Sequence, residues 1–274
     1  MATFLFWNLN RKGLKDHIVA LCREHGVDVL ILAEADIREV DLLEALNKDE
    51  ISKFRLAFNP SPRLKFFVRF PSVCFKPVID EGGVSVRRLV PPVGTDVLIV
   101  AVHLPSKLYY KEIDQVFQST RLAEIIREAE RAVGHSRTVV VGDFNMNPFE
   151  SGFISADGLH AVMDKRIAQR IARTVQGKRR EFFYNPMWGR MGDNSPGPPG
   201  TYFYSDSSHV CYFWNTFDQV LLRPAILQYF RDDSLEIPIT AAGEPLLSEA
   251  GRPGERFTSD HLPILFTINI EREV

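Results

Sequence analysis

Short apolar runs rich in Val, Ile, Leu and Phe recur along the chain and predict strands over residues 3–8, 28–33, 66–75, 97–103, 138–142, 217–222 and 264–270. Between some of them the apolar positions return every three or four residues, as in Leu14, Ile18, Leu21 and Cys22 and again in Leu122, Ile125, Ile126 and Ala129. That spacing puts one apolar face on each of two amphipathic helices, with Cys22 in the core. The order is not a regular strand–helix alternation. Residues 54–103 read as strand after strand, punctuated by Glu81-Gly82-Gly83 and Pro91-Pro92-Val93-Gly94, which favours mixed or antiparallel sheets with helices outside.

Residues 150–216 have a different texture. Met163, Ile167, Ile171 and Val175 form an apolar stripe, Arg166, Arg170 and Arg173 form a second stripe beside it, and Lys178-Arg179-Arg180 follows. This pattern predicts a basic amphipathic helix. Its arginines are either a solvated face or a rail for phosphates, with Trp188 and Tyr202 nearby as stacking platforms for a single strand. Residues 189–200 hold four Gly and three Pro and predict a long loop. With no repeat and no linker composition, the chain reads as one domain over 1–274 with an insertion at about 150–216.

Composition narrows the classes. Charged residues are 25 % and hydrophobic ones 45 %, and no run approaches the roughly 18 to 20 apolar residues of a membrane span, so a soluble globular protein is expected. Lys plus Arg number 33 and Asp plus Glu 35, a net charge of −2, which excludes a globally basic coat and leaves any polyanion to be met by a local patch. Three cysteines, Cys22, Cys74 and Cys211, are odd in number and widely spaced, so neither a disulfide framework nor a zinc ribbon is expected. A reducing cytoplasm is the simplest home, and the N-terminus reads as a first strand rather than a secretory signal.

Polar residues stand where the apolar runs stop. Asn8 and Asn10 close the first, Glu34 the second and His103 that of 97–103, while Asp143 and Asn145 follow Val139-Val-Val-Gly142. Asp218 opens a late strand, and Asp260-His261 precede the last. Each alone suits a turn or cap. Together, Trp7-Asn8, Glu34, Gly142-Asp143-Phe144-Asn145, Asp218 and Ser259-Asp260-His261 resemble the endonuclease/exonuclease/phosphatase superfamily of DNase I-like and exonuclease III-like hydrolases, over residues 4–266. The resemblance implies an α/β fold of two mixed β-sheets packed face to face with helices on the outer faces, a four-layer sandwich. It also implies divalent-metal-dependent hydrolysis of a phosphoester.

The residue chemistry supports that expectation. Asp143 and Asn145 are two apart, so in extended backbone both face one side, where a carboxylate can hold a water or metal and an amide can bond a phosphate. Asn8 and Asn10 share the spacing. Glu34, with Asn8 and Asp260, supplies oxygen ligands that suit Mg²⁺ or Mn²⁺ rather than zinc. Adjacent Asp260 and His261 point apart in extended chain, so the carboxylate that orients His261 should come from elsewhere; Asp218 is expected, as the resemblance also suggests. Either Asp143 or His261 could take the proton of the attacking water. His103 matches the second histidine of the DNase I-like branch and would polarise the phosphate or assist the leaving group. Position 10 is Asn where the abasic-endonuclease branch has an acid, which sets this chain apart from that branch. Asn10, Lys107, Arg11-Lys12, Arg166, Arg170, Arg173 and Trp188 are the expected substrate contacts. The expected activity is a phosphodiesterase, first of all a nuclease acting on nucleic acid. Its alternatives are a phosphatase or phospholipase on a phosphorylated small molecule or phosphoinositide, and a binding module of the same fold.

Overall fold

Two parallel strand pairs form the spine. β1 (Ala2–Asn8) lies parallel to β2 (Val29–Ala33), with α1 (Lys15–Glu24) between them in sequence. β7 (Val97–His103) lies parallel to β8 (Thr138–Asp143), with the long α3 (Glu112–Val133) between them. Such parallel pairs need a crossover, and each helix supplies one. The computed structural model describes residues 1–48, 50–107, 111–254 and 258–271.

Further strands extend both pairs, antiparallel to their neighbours except at the far edge of the larger sheet, where residues 161–162 run parallel to residues 183–184. β18 (Ile264–Ile268) joins β1, and β4 (Leu64–Val68) joins β2 with β3 (Arg55–Ala57) at the edge, giving a five-stranded sheet ordered β18-β1-β2-β4-β3. The second sheet has seven strands in the order β5-β6-β7-β8-β15-β12-β9, adding β5 (Phe75–Glu81), β6 (Val84–Leu89), β9 (Ala161–Val162), β12 (Phe183–Tyr184) and β15 (Asp218–Leu222).

Alternation along β7 shows how the layers stack. Ile99 and Ala101 belong to the core shared with the five-stranded sheet, whereas Leu98, Val100 and Val102 pack with Leu122, Ile125, Ile126 and Ala129 beneath α3. Ile18 and Leu21 of α1, with Leu42 and Leu46 of α2 (Glu39–Asn47), cover the other sheet. The result is the expected sandwich of two mixed sheets between helices. Each fully buried Phe or Leu in it is worth about 1.5–3 kcal/mol of transfer free energy. No helix among the described residues is long and apolar enough to cross a membrane.

Two sequence expectations are corrected. Residues 66–75 are not one strand: β4 ends at Val68, Pro71 starts a short 3₁₀ turn over Ser72–Cys74, and β5 begins at Phe75 in the opposite sheet. Proline has no N–H to give a ladder, so the run breaks there and carries the chain across the sandwich. The basic helix does not form either. Asp164 caps a single turn, α5 (Lys165–Ala168), after which Ile171 takes a left-handed φ of 72°. The chain then makes a hairpin of β10 (Ala172–Val175) and β11 (Lys178–Glu181), turning through Gln176 and Gly177 at φ 48° and 74°. Two consecutive positive φ values match the twist of a tight hairpin and outweigh the helical periodicity. Arg166, Arg170 and Arg173 therefore share no helix face. Of the loop predicted over 189–200, residues 191–200 form only turns and bends, while Gly189 and Arg190 close a short 3₁₀ turn over Pro186–Arg190.

Candidate active site

The strand ends meet at one mouth. In the seven-stranded sheet His103 pairs with Asp143 and Asp143 with Asp218, so three polar side chains stand abreast on adjacent strands. Asn8 at the end of β1 donates Nδ2–H to Asp143 Oδ2 at 2.9 Å and ties the two sheets together at this point.

Both strand ends use the same local device. Asn10 N–H donates to Asn8 Oδ1 at 3.0 Å, and Asn145 N–H donates to Asp143 Oδ1 at 2.8 Å. In each, the third residue is left-handed, with φ 44° at Asn10 and 52° at Asn145. These are Asx turns, in which a side-chain oxygen replaces the next rung of the ladder. The backbone is thus not extended from Asp143 to Asn145. The side chains still converge, with Asn145 Nδ2 donating to Asp143 Oδ2 at 3.1 Å and to Leu104 O at 3.0 Å. Arg11 and Glu34 are also left-handed, at φ 58° and 46°, and Arg11 N–H donates to Glu34 O. Four non-glycine residues in this sparsely populated region, at about 1–3 kcal/mol each, are held by the surrounding hydrogen bonds.

Gly142 explains part of the Gly-Asp-Phe-Asn motif. A Cβ there would lie 1.9 Å from Val102 O, so only glycine lets β8 approach β7 just before Asp143.

His261 is held on several sides. Its Nδ1 lies 2.8 Å from Asp218 Oδ2, its N–H donates to Ser259 Oγ, and its carbonyl accepts from Trp7 Nε1 at 2.8 Å. Ser259 Oγ–H donates to Asn8 O at 2.6 Å, and the Tyr202 ring lies 4.7 Å from the imidazole, centroid to centroid. Burial disfavours the imidazolium, but Asp218, Asp143 and Asp260 outweigh it and raise the pKa to about 10. Nε2 faces Asp143 Oδ2 across 4.0 Å. Asp143 itself is raised, chiefly by burial, with Asp218 adding to the shift and His261 and His103 opposing it.

Across the mouth, His103 Nε2 is 3.3 Å from Glu34 Oε1 and 4.0 Å from Asp143 Oδ2. The hydrogen bond to His103 lowers the Glu34 pKa against its burial, so this carboxylate is ionised at neutral pH. Glu34, Asn8 and Asp260 line one cleft and offer two carboxylates and an amide oxygen. That hard-oxygen donor set fits a Mg²⁺-type cation that keeps part of its water. Asp143, Asp218 and His261 also bring ligand atoms within 4.8 Å of one another. Asp218 occupies His261 Nδ1 and two amides hold Asp143 Oδ2, so the polar atoms of this trio are already committed to hydrogen bonds.

The cleft encloses about 720 Å³ and places Asn8, Asn10, Glu34, His103, Lys107, Asp143, Asn145, Asp260 and His261 on its lining, with buried Asp218 behind His261. Lys107 pairs with Glu150, and its Nζ sits 5.3 Å from the Phe217 ring centroid. Arg166, Arg170, Arg173 and Trp188 do not line it. Trp188 stands behind the wall, 6.4 Å from Phe149, which packs edge-on against Tyr212.

Sequence reasoning missed several residues. Tyr204 and Tyr212 share the cleft wall with Tyr202, just beyond the short pair β13 (Tyr202–Phe203) and β14 (Trp214–Asn215). Asn147 continues the alternation of Asp143 and Asn145 and accepts from Thr216 N while donating to Asn215 Oδ1, which fixes the approach to β15. Thr201 Oγ1 accepts from the N–H groups of Phe217 and Asp218. Beyond Glu34 and His103 a second lobe of about 620 Å³ is lined by Arg11, Asp36 and Arg63.

The model of the Endonuclease/Exonuclease/phosphatase family matches residues 5–261. Comparison with curated proteins returns no match. Solved structures of similar fold include a 3′ phosphatase, NExo, from Neisseria bound to product DNA hairpin, 14 % identical, covering 98 % of this chain and 99 % of that one at a TM-score of 0.57. An AP endonuclease from Archaeoglobus fulgidus is 14 % identical, over 98 % of this chain and 100 % of that one, at 0.55. The human Nocturnin catalytic domain, with bound sulfate, is 15 % identical over 97 % and 93 % at 0.56. At such identity these structures share the fold, and the match along nearly the whole sequence carries the assignment: the chain belongs to the endonuclease/exonuclease/phosphatase family.

Proposed function

We propose that the protein is a divalent-metal-dependent phosphodiesterase acting on nucleic acid, a nuclease of this family. The observation that carries the reading is the convergence of Asn8, Glu34, His103, Asp143, Asn145, Asp260 and His261 on one cleft, with Asp218 behind His261. Glu34, Asn8 and Asp260 would hold Mg²⁺ or Mn²⁺, which neutralises charge on the pentavalent phosphorus and the leaving oxygen when bound.

The protein's own residues position the rest. Asp143, fixed by Asn8 and Asn145 and 4.0 Å from both His103 Nε2 and His261 Nε2, can share one oxygen with either imidazole, because two hydrogen bonds to a common oxygen span such a gap. Its raised pKa moves it toward the range of an effective general base, so Asp143 takes the proton of the attacking water. His261, charged at neutral pH and braced by Asp218, faces the developing negative charge on the phosphoryl oxygens. Asn10 stands at the cleft as an amide contact to a non-bridging oxygen, while Asn145, whose two Nδ2 hydrogens go to Asp143 Oδ2 and Leu104 O, positions Asp143.

Nucleic acid is favoured over a small phosphoester by the two unlike lobes. Tyr204 and Tyr212, exposed on the cleft wall, offer faces for bases, and Arg11 and Arg63 lie on the far side of Glu34 for a neighbouring phosphate. Two solved structures of the same fold, bound to a DNA product or described as an AP endonuclease, support this choice. Three unpaired cysteines agree with a cytoplasmic setting.

A Tyr204→Ala, Tyr212→Ala double variant, which leaves the Tyr202 ring against His261, tests the substrate class. The KM for an oligonucleotide should rise about tenfold, as stacking at about 1–3 kcal/mol per base requires, while turnover of a small chromogenic phosphodiester stays constant. Equal losses on both substrates would assign these rings to the fold rather than to bases.

A further inference from the structure

At the other end of the seven-stranded sheet lies a pocket rich in arginine. Asp218 opens β15 at the catalytic mouth and Arg223 follows its last residue, Leu222, so at about 3.3 Å per residue the two stand roughly 16 Å apart along the strand. Around Arg223 a pocket of about 170 Å³ is walled by Arg127, Arg179, Arg180 and Arg223 and by one carboxylate, Glu181, which lies 3.8 Å from Arg223 Nη2.

The four guanidinium groups are not equivalent. Arg223 is buried, bonds Glu130 through Nε at 2.8 Å and Nη2 at 3.3 Å, gives Nη1–H to Phe182 O, and lies 4.0 Å above the Phe183 ring. Arg180 pairs with Asp157. These two are committed and shape the wall. Arg127, half-buried on α3, has no ion pair or side-chain hydrogen bond among the described residues, and neither has Arg179 on the exposed strand of the β10–β11 hairpin. Burial, then the like charges of Arg223 and Arg180, lower the Arg127 pKa, while Glu124 and Glu181 act on it in the opposite sense. Two uncommitted forks thus face one small cavity beside two committed ones.

A guanidinium fork matches a tetrahedral oxyanion bidentately, and a volume of this size takes one such group with a few waters, at about 30 Å³ per water. We propose that this pocket is an anion site for a phosphate group, held mainly by Arg127 and Arg179 and separate from the catalytic cleft. The group arrives either as free phosphate or as the phosphate of a nucleotide. The site depends neither on metal nor on the cleft residues.

The test follows the Arg127 side-chain Nε–H resonance by NMR in EDTA while inorganic phosphate is added, with adenosine monophosphate in a parallel titration. The resonance, identified by its absence in Arg127→Gln, should shift saturably, and equally in Glu34→Gln, whose cleft is altered. Arg127→Lys keeps the charge and removes the fork; observed through the Arg180 Nε–H, its binding should be about tenfold weaker, the scale of one charged hydrogen bond. A saturable shift with inorganic phosphate identifies the free ion as a ligand. A shift with the nucleotide alone identifies an attached phosphate. A shift that only grows linearly with both, or that disappears in Glu34→Gln, overturns the proposal.

Discussion

His261 lies in the segment that leads into β18 of the five-stranded sheet and Asp218 opens β15 of the seven-stranded one, yet Nδ1 of the imidazole and Oδ2 of the carboxylate are 2.8 Å apart. Asp218 is fully buried, so the pair is rigid and leaves Nε2 alone to face the cleft. Replacing Asp218 with Asn removes the charge that helps hold the imidazolium and permits the wrong tautomer. Turnover should fall by about 10²–10⁴-fold with the fold retained by circular dichroism. A variant with wild-type turnover would detach the pair from the chemistry.

Glu34 is ionised at neutral pH and sits where a hard cation would be held. Glu34→Gln removes one full negative charge from a set with only two carboxylates, so the Mg²⁺ concentration for half-maximal activity should rise at least about tenfold. EDTA should silence the wild-type protein. A metal titration that superimposes on the wild-type curve would strike Glu34 from the ligand set.

Legibility followed locality. Asn8, Glu34, His103 and Asp143 were readable because each interrupts an apolar run, and a strand that stops at a polar residue places it at the sheet's mouth. The turns that aim them were hidden: nothing in Asn8-Leu9-Asn10 or Asp143-Phe144-Asn145 announces a left-handed third residue, since the Asx turn competes with extended backbone at the same spacing. The basic helix failed for a related reason. Arg166, Arg170 and Arg173 keep a helical period by coincidence, while Gln176-Gly177 and the left-handed Ile171 decide the backbone. Tyr204, Tyr212 and Arg63 reach the cleft through tertiary arrangement alone, so no local signal marked them.

Gly142 carries a packing demand next to Asp143, the proposed general base. Gly142→Ala would press a methyl group onto Val102 O, with no flexible atom able to yield. Stability should drop by about 1–3 kcal/mol or more, read as a lower denaturation midpoint, and activity should drop with it as Asp143 is displaced. Wild-type stability in this variant would show that β7 and β8 have room to part.

Asp96 sets an acid limit on stability far from the cleft. It accepts from Arg88 Nε at 3.0 Å and Nη2 at 2.6 Å, pairs with Arg137, and lies 3.0 Å from His135 Nε2. Burial pushes its pKa up, but the hydrogen bonds and charges of Arg88, Arg137 and His135 win and lower it. A depressed carboxylate contributes stability that is present above its unfolded pKa of about 3.9 and lost as pH falls through the lower folded value. Asp96→Asn should therefore cost about 1 kcal/mol at neutral pH and flatten the decline of stability below about pH 4, measured by urea unfolding across that window. A variant with the wild-type acid profile would show that other carboxylates govern it.

The central claim is tested most directly by product release from a panel of single- and double-stranded DNA, RNA, a phosphoinositide and a generic phosphodiester, in Mg²⁺, Mn²⁺ or EDTA, for the wild-type protein beside Asp143→Asn and His261→Ala. The account predicts metal-dependent cleavage of at least one nucleic acid, absent in EDTA and reduced by at least about 10²-fold in both variants. Cleavage that persists in either folded variant, or a folded wild-type protein that cleaves no nucleic acid with either metal, would contradict it.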